Sequence, residues 1–526
     1  MSSCQPIYRV LRRVGLSTLP FVCALLAGCS NSAQSAVETG ALAQSQFDSG
    51  QLAAARQTIA KAIAERDDIA ELHLLRARIE MAAQSPSNAF RGYSNALSLD
   101  ASNVEALLGV AQLGLSVGHP DESESAADRL LTLDPRNGRA LLVKGLHNII
   151  RHKYDDALAN ADAMLATAPR DEGGLILKAR VLALLGRTDE SFAIMEEARK
   201  TTGVTSGIAM TLLELYRLRG EGRDMVAMLE YLRKSIPENR SLDIDEADTL
   251  YKLGETARAR GIVRQMIMIK TLGDADAEAA MRLWREYDPA PLDAAALRDL
   301  AAQAGPPVRK AVVRYYIDRD DPDRAEAALL GAPGGEDVAA LRARIAVARG
   351  RLDDGSAQAA AILGRDATHC DALVAKAQVS LARRRADEAV VASQTAAANC
   401  PQMPAAYLAL ARAHQLKGND AAVNLAFRDG FERNDQDSAL ARAYTDWLEQ
   451  TGQETRALAI ARRLTVATPA LLSGWKLYIE LCQKVPDARC TADAEAGMAQ
   501  ARTLFGVDLR TGERPPPGLL GRLGRR

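Results

Sequence analysis

The chain has 526 residues, of which 48% are hydrophobic and 25% charged. That is enough apolar material for a large core and too much charge for a membrane-embedded transporter. The 66 Lys and Arg against 67 Asp and Glu give a net charge of -1, and aromatic residues are only 4%. The charge balance argues against a dedicated nucleic-acid binder, and the scarcity of rings argues against stacking platforms for bases or sugars.

Residues 1–28 read as an address. Arg9, Arg12 and Arg13 form a positive start with no acid before Glu38, and an apolar run from Val14 to Ala27 follows. The run is short for a membrane span and suits a signal peptide. It ends Leu26-Ala27-Gly28-Cys29, which resembles the lipobox of bacterial lipoproteins. The resemblance implies cleavage before Cys29, acylation of its thiol, and anchoring by lipid. Ser30 in place of Asp after the cysteine implies, by the same resemblance, the periplasmic side of a Gram-negative outer membrane. Residues 29–35 are then a short tether.

The remaining chain repeats. Gly118-His119-Pro120-Asp121-Glu122-Ser123 returns as Gly186-Arg187-Thr188-Asp189-Glu190-Ser191, two 34-residue steps later. The same step links Gly50, Gln84, Gly118, His152, Gly186, Gly220 and Gly254, and again Gly350, Arg384, Gly418, Gly452 and Pro486. Five positions beyond these comes a mostly small residue (Ala55, Ala89, Ser123, Ala157, Ser191, Ala259), and Pro135, Pro169 and Pro237 close units. The pattern resembles the tetratricopeptide repeat (TPR), a helix–turn–helix unit. Glycine permits the turn, the small residue lets two backbones approach, and proline stops the second helix. The expected fold is therefore all-α, an α-solenoid of about 13–14 helix pairs.

The expected blocks are 36–270, a degenerate stretch 271–335, a second block 336–505 and a basic, Pro-rich tail 506–526 that cannot order itself. The interval from Gly254 to Gly350 falls six residues short of three full steps. Proline clusters within it read as turns of two or three shortened pairs, where a change of curvature would divide the protein into two lobes.

Four cysteines besides the anchor, Cys370, Cys400, Cys482 and Cys490, suit two disulfides in an exported chain. With Arg384 as a turn, Cys370 opens and Cys400 closes one hairpin. Cys482 and Cys490 flank the turn at Pro486. Loop entropy gives the bridges roughly 3–4 and 2–3 kcal/mol. No metal site is expected, since no cysteine pair has ligand spacing.

Two chemical-looking strings fall on helices of the repeat. Gly114-Leu115-Ser116-Val117-Gly118 spells a nucleophile elbow without its strand, and Asp245-Glu246-Ala247-Asp248 spells an acidic box without a phosphate loop. No residue constellation suggests an enzyme or a cofactor.

In the TPR family the first helix of each unit lines a concave inner face that binds proteins. The resemblance puts Arg180, Glu214, Arg217, Asp248, Tyr251, Arg344, Arg412, Gln415 and Arg442 on that face, with apolar Leu142, Ile149 and Met210 among them. Its arginines would clamp carboxylates of a peptide. The expected role is a lipid-anchored scaffold for protein partners in an envelope assembly or export machine, similar to TPR lipoproteins of exopolysaccharide, PEP-CTERM or pilus systems. The alternatives are a periplasmic peptide- or glycan-binding protein, with Tyr251 as the ring platform, and an enzyme with a site hidden in the irregular stretch.

Overall fold

The structure is a computed structural model that describes residues 19–485 and 487–505, with side chains from residue 33 onward. Residues 1–18 and the tail 506–526 lie outside the described residues. Every regular element described is a helix, and most successive helices pack as hairpins, so the fold is an all-α solenoid of the TPR kind. Twenty-eight helices are present among the described residues.

The chain forms two compact units, divided between Gly203 and Val204. Unit 1 contains α1 (Leu19–Asp48), α2 (Leu52–Glu65), α3 (Ala70–Ala82), α4 (Pro86–Leu99), α5 (Val104–Val117), α6 (Pro120–Leu133), α7 (Gly138–Ile150), α8 (Tyr154–Thr167), α9 (Glu172–Leu184) and α10 (Thr188–Thr202). Unit 2 begins with α11 (Ser206–Arg219), α12 (Gly222–Ser235), α13 (Arg240–Lys252), α14 (Thr256–Ile267), α15 (Asp274–Tyr287), α16 (Ala294–Gln303), α17 (Pro306–Asp318) and α18 (Pro322–Ala327). It continues through α19 (Glu336–Ala348), α20 (Leu352–Leu363), α21 (Cys370–Ala382), α22 (Ala386–Asn399), α23 (Pro404–Leu416), α24 (Asp420–Arg433), α25 (Ser438–Gln450), α26 (Glu454–Ala467), α27 (Leu472–Lys484) and α28 (Ala488–Ala501). The expected tether 29–35 is part of α1. Cys29 falls on that helix where side chains are not described. No helix among the described residues is long and apolar enough to cross a membrane.

The 34-residue step is written in the backbone. Gly50, Gly118, Gly186, Gly220, Gly254, Gly350, Gly418 and Gly452 all have positive φ. Where the sequence departs from glycine the conformation persists: φ is 54° at Gln84, 58° at His152 and 56° at Arg384. The turn is thus imposed by hairpin packing, and the side chain bears the strain. Small residues five positions on are buried against the preceding helix. Ser123 and Ser191 each donate to a carbonyl there, Ala111 and Ala179, at 2.6 Å. A further series keeps the same step. Asn103, Asn137, Asp171, Thr205 and Asn239 cap the N-termini of α5, α7, α9, α11 and α13 by accepting from a backbone N–H, each contributing about 1 kcal/mol.

The division at Gly203 falls inside the expected block 36–270. Here the series Pro135, Pro169, Pro237 is interrupted by a glycine with φ 85°.

In the irregular stretch α15 packs on α17, α17 pairs with the 6-residue α18, and the 10-residue α16 lies against α18. The stretch does not part the chain into lobes. Large rings replace the usual alanines and fill the space the short helices leave. Trp284, Tyr315 and Tyr316 are fully buried in one apolar core that runs from Val226 to Ile345. Asp288 closes the corner after α15: Arg260 donates to both its oxygens at 2.8 Å, Tyr251 donates to it at 3.1 Å, and its own carbonyl accepts from Tyr315 at 2.9 Å.

A second core spans α23–α28, from Tyr407 to Ala494. Between the two, α19–α22 hold small, alanine-rich clusters. Both disulfides are formed. Cys370–Cys400 closes the α21/α22 hairpin at 6.0 Å between Cα atoms, and Cys482–Cys490 staples α27 to α28 at 5.5 Å.

Candidate partner groove

The residues expected on the inner face separate into two groups once placed. In unit 1, Arg180 is half-buried on α9, and Leu142 on α7 borders a depression of about 450 Å³ with Leu108, Arg136 and Arg139. Ile149, expected as an apolar groove residue, is buried within the unit.

In unit 2 most of the expected groove residues are occupied inside the protein. Glu214 and Arg217 pair with each other along α11, and Arg217 is buried. Asp248 is fully buried, 2.8 Å from Lys252 Nζ, and accepts from Tyr287 Oη at 2.9 Å. Burial raises the Asp248 carboxyl pKa, and Lys252 works against that rise. The Tyr251 ring is buried, stacks on Tyr287 with centroids 5.3 Å apart and donates to Asp288, so it offers no platform to a glycan. Arg344 is 2% exposed and pairs with Asp371 at 2.9 Å. Arg442 on α25 is partly exposed and pairs with Glu480 at 2.8 Å. Met210 is half-buried.

First helices of successive hairpins stand side by side, so their inner positions come within reach of neighbouring helices. Polar side chains there pair with one another because a buried charge without a partner is costly.

Arg412 and Gln415 differ. They lie six and three residues before the turn at Gly418, the same phases as Asp248 and Tyr251 relative to Gly254, yet both are exposed. With Gln378, Leu381, Ala382 and Leu416 they line a depression of about 530 Å³ between α21 and α23. Among the described residues no carboxylate pairs with Arg412. The site combines an apolar floor, two amides and a guanidinium. That combination suits a carboxylate-bearing peptide segment.

The chemical-looking strings are structural. A Cβ on Gly114 would stand 2.6 Å from Ser123 Cβ and 2.7 Å from the His119 carbonyl oxygen, so this glycine is required for close packing of α5 and α6. Ser116 Oγ donates to the Leu113 carbonyl at 2.8 Å. Glu246 of the acidic string is buried and accepts from Arg233 at 2.7 Å. His147 Nε2 lies 3.1 Å from Ser123 Oγ, a pair shut inside unit 1. Among the described residues no three His, Cys, Asp or Glu side chains gather as a metal site.

The repeat-spaced helix caps carry a sequence signal of their own: Asn, Asp or Thr recurs every 34 residues just before the first helix of a unit.

No family model and no curated relative matches the chain. Solved structures similar to parts of it include PilW, described as a widely conserved type IV pilus biogenesis factor, at 19% identity over 39% of this chain and 94% of that one, with a TM-score of 0.33. A thermophilic TPR protein of Thermus thermophilus is 21% identical over 35% of this chain and 99% of its own, with a TM-score of 0.32. The TPR domain of P58(IPK) is 16% identical over 74% of this chain and 99% of its own, with a TM-score of 0.30.

Proposed function

We propose that the chain is a scaffold of the bacterial envelope, anchored by lipid on Cys29, that holds protein partners against its ladder of hairpins. The observation that carries the binding role is the depression at Arg412. It keeps an exposed guanidinium and two amides beside Leu381 and Leu416, at inner-face positions that elsewhere in unit 2 are filled by internal pairs. Apolar contact would hold a peptide there, and Arg412 would select for an acidic group on it. The envelope setting is supported by the positive start, the short apolar run and the Leu-Ala-Gly-Cys string. The two disulfides fit an oxidising compartment. Outer-membrane anchoring facing the periplasm, and service to an exopolysaccharide, protein-sorting or pilus machine, belong to the same proposal.

The test is capture from solubilised membranes. Wild-type protein should retain a defined partner. Arg412→Glu should lose it while keeping the same melting profile. Equal capture by both would remove the depression from the proposal and place the contact on the outer face or the tail. Separately, Cys29→Ala should move the protein from the membrane to the soluble fraction, and its retention in the membrane would end the anchoring claim.

A further inference from the structure

Unit 2 returns on itself. Lys252, at the end of α13, donates to the carbonyl oxygens of Ala501 and Leu504 at the end of α28. Glu286, on α15, accepts from the Ser473 backbone N–H at 2.7 Å, at the start of α27. A cation therefore sits at the C-terminus of one helix and an anion at the N-terminus of the other, as the helix dipoles favour. Leu471, at the N-cap of α27, has no capping side chain of its own, and Glu286 supplies one from another hairpin. Arg282 Nη2 donates to Gln436 Oε1 at 3.2 Å along the same seam.

These bonds join two bodies whose apolar interiors are separate. One core runs through α12–α19 and the other through α23–α28. The seam itself is polar, with Arg282 and Ser473 half-buried along it. The helices α19–α22 connect the bodies along the chain and hold smaller clusters of their own, built of Ile362, Leu373, Val374 and alanines. The Cys482–Cys490 bridge holds α27 to α28, so the last hairpin moves as one piece.

We propose that α27/α28 is a clasp: unit 2 alternates between a closed turn, held by Lys252 and Glu286, and an opened one. This is a hinge motion between two packed bodies across a polar seam. It follows from the seam and the two cores, whatever partner the molecule holds.

Single-molecule energy transfer on the full chain tests it, with dyes on unnatural amino acids replacing the exposed Arg258 of α14 and Glu495 of α28. Wild-type protein should show two exchanging populations. The double variant Lys252→Met, Glu286→Gln should shift their ratio at least ten-fold toward low transfer, with helicity by circular dichroism unchanged. A single high-transfer population in both proteins would overturn the proposal. If the double variant unfolds, the wild-type distribution alone decides: two populations support the clasp and one refutes it.

Discussion

Arg344 Nη1 stands 2.9 Å from Asp371 Oδ1, and Arg314 Nη2 stands 2.7 Å from the other oxygen of the same carboxylate. Three first helices, α17, α19 and α21, are thereby tied by one buried anion. Burial opposes ionisation of Asp371, but the two guanidiniums outweigh it and bring its pKa to about 2. Arg344→Ala should therefore weaken unit 2 by about 3–5 kcal/mol, because it leaves a buried charge half-compensated. All three tryptophans, Trp284, Trp447 and Trp475, lie in unit 2, so urea titration by their fluorescence reads this directly. The sign with acid follows from the depressed pKa. The Asp371 contribution is complete above the ordinary carboxylate value of ~3.9 and is lost as pH falls through about 2. The variant should lose that acid-dependent step.

Arg384 carries a left-handed conformation, φ 56°, at a position its repeat neighbour Gly418 fills without strain. Arg384→Gly should raise the stability of unit 2 by about 0.5–1 kcal/mol, the relief of a Cβ clash less the extra entropy of an unfolded glycine. Gly418→Ala should cost about 1 kcal/mol in the same titration.

His147 lies buried on α7, facing Ser123, Glu124, Asp128, Lys144 and Arg151. Burial lowers its pKa below the usual value, so the folded unit prefers the neutral ring. Its contribution is present above the ordinary histidine pKa of ~6.5 and is lost as pH falls through the lowered folded value. Hydrogen exchange of α7 should quicken as pH falls through this window, after correction for intrinsic rates. His147→Gln should flatten that dependence.

Gly114 and Ser116 distinguish packing from chemistry in the elbow-like string. Gly114→Ala should lower the unfolding free energy of unit 1 by about 1–3 kcal/mol, since the new Cβ meets Ser123 and the His119 carbonyl. Ser116→Ala should leave both melting and partner capture unchanged. A loss of function without loss of stability at Ser116 would return the string to consideration as a site.

The repeat was legible because each turn is a local demand. A left-handed residue every 34 positions shows as glycine often enough to set the phase, and the backbone then keeps that phase through Gln84, His152 and Arg384. The disulfides were legible from the same phase. Of the residues expected on the inner face of unit 2, Arg412 and Gln415 stay exposed beside a depression. Whether an inner position faces solvent or a neighbour depends on partners far along the chain: Asp248 meets Tyr287, Tyr251 meets Asp288 and Arg344 meets Asp371. The unit boundary falls where glycine takes the place of the repeat's proline, a small signal beside the proline clusters further on.

The partition of unit 2 into two interiors has a calorimetric consequence. Heat should strip such a unit in stages, one enthalpy step for each interior. A molecule that lies across both would fuse those stages into one sharper endotherm. Differential scanning could thus register a bridging guest without any knowledge of what the guest is.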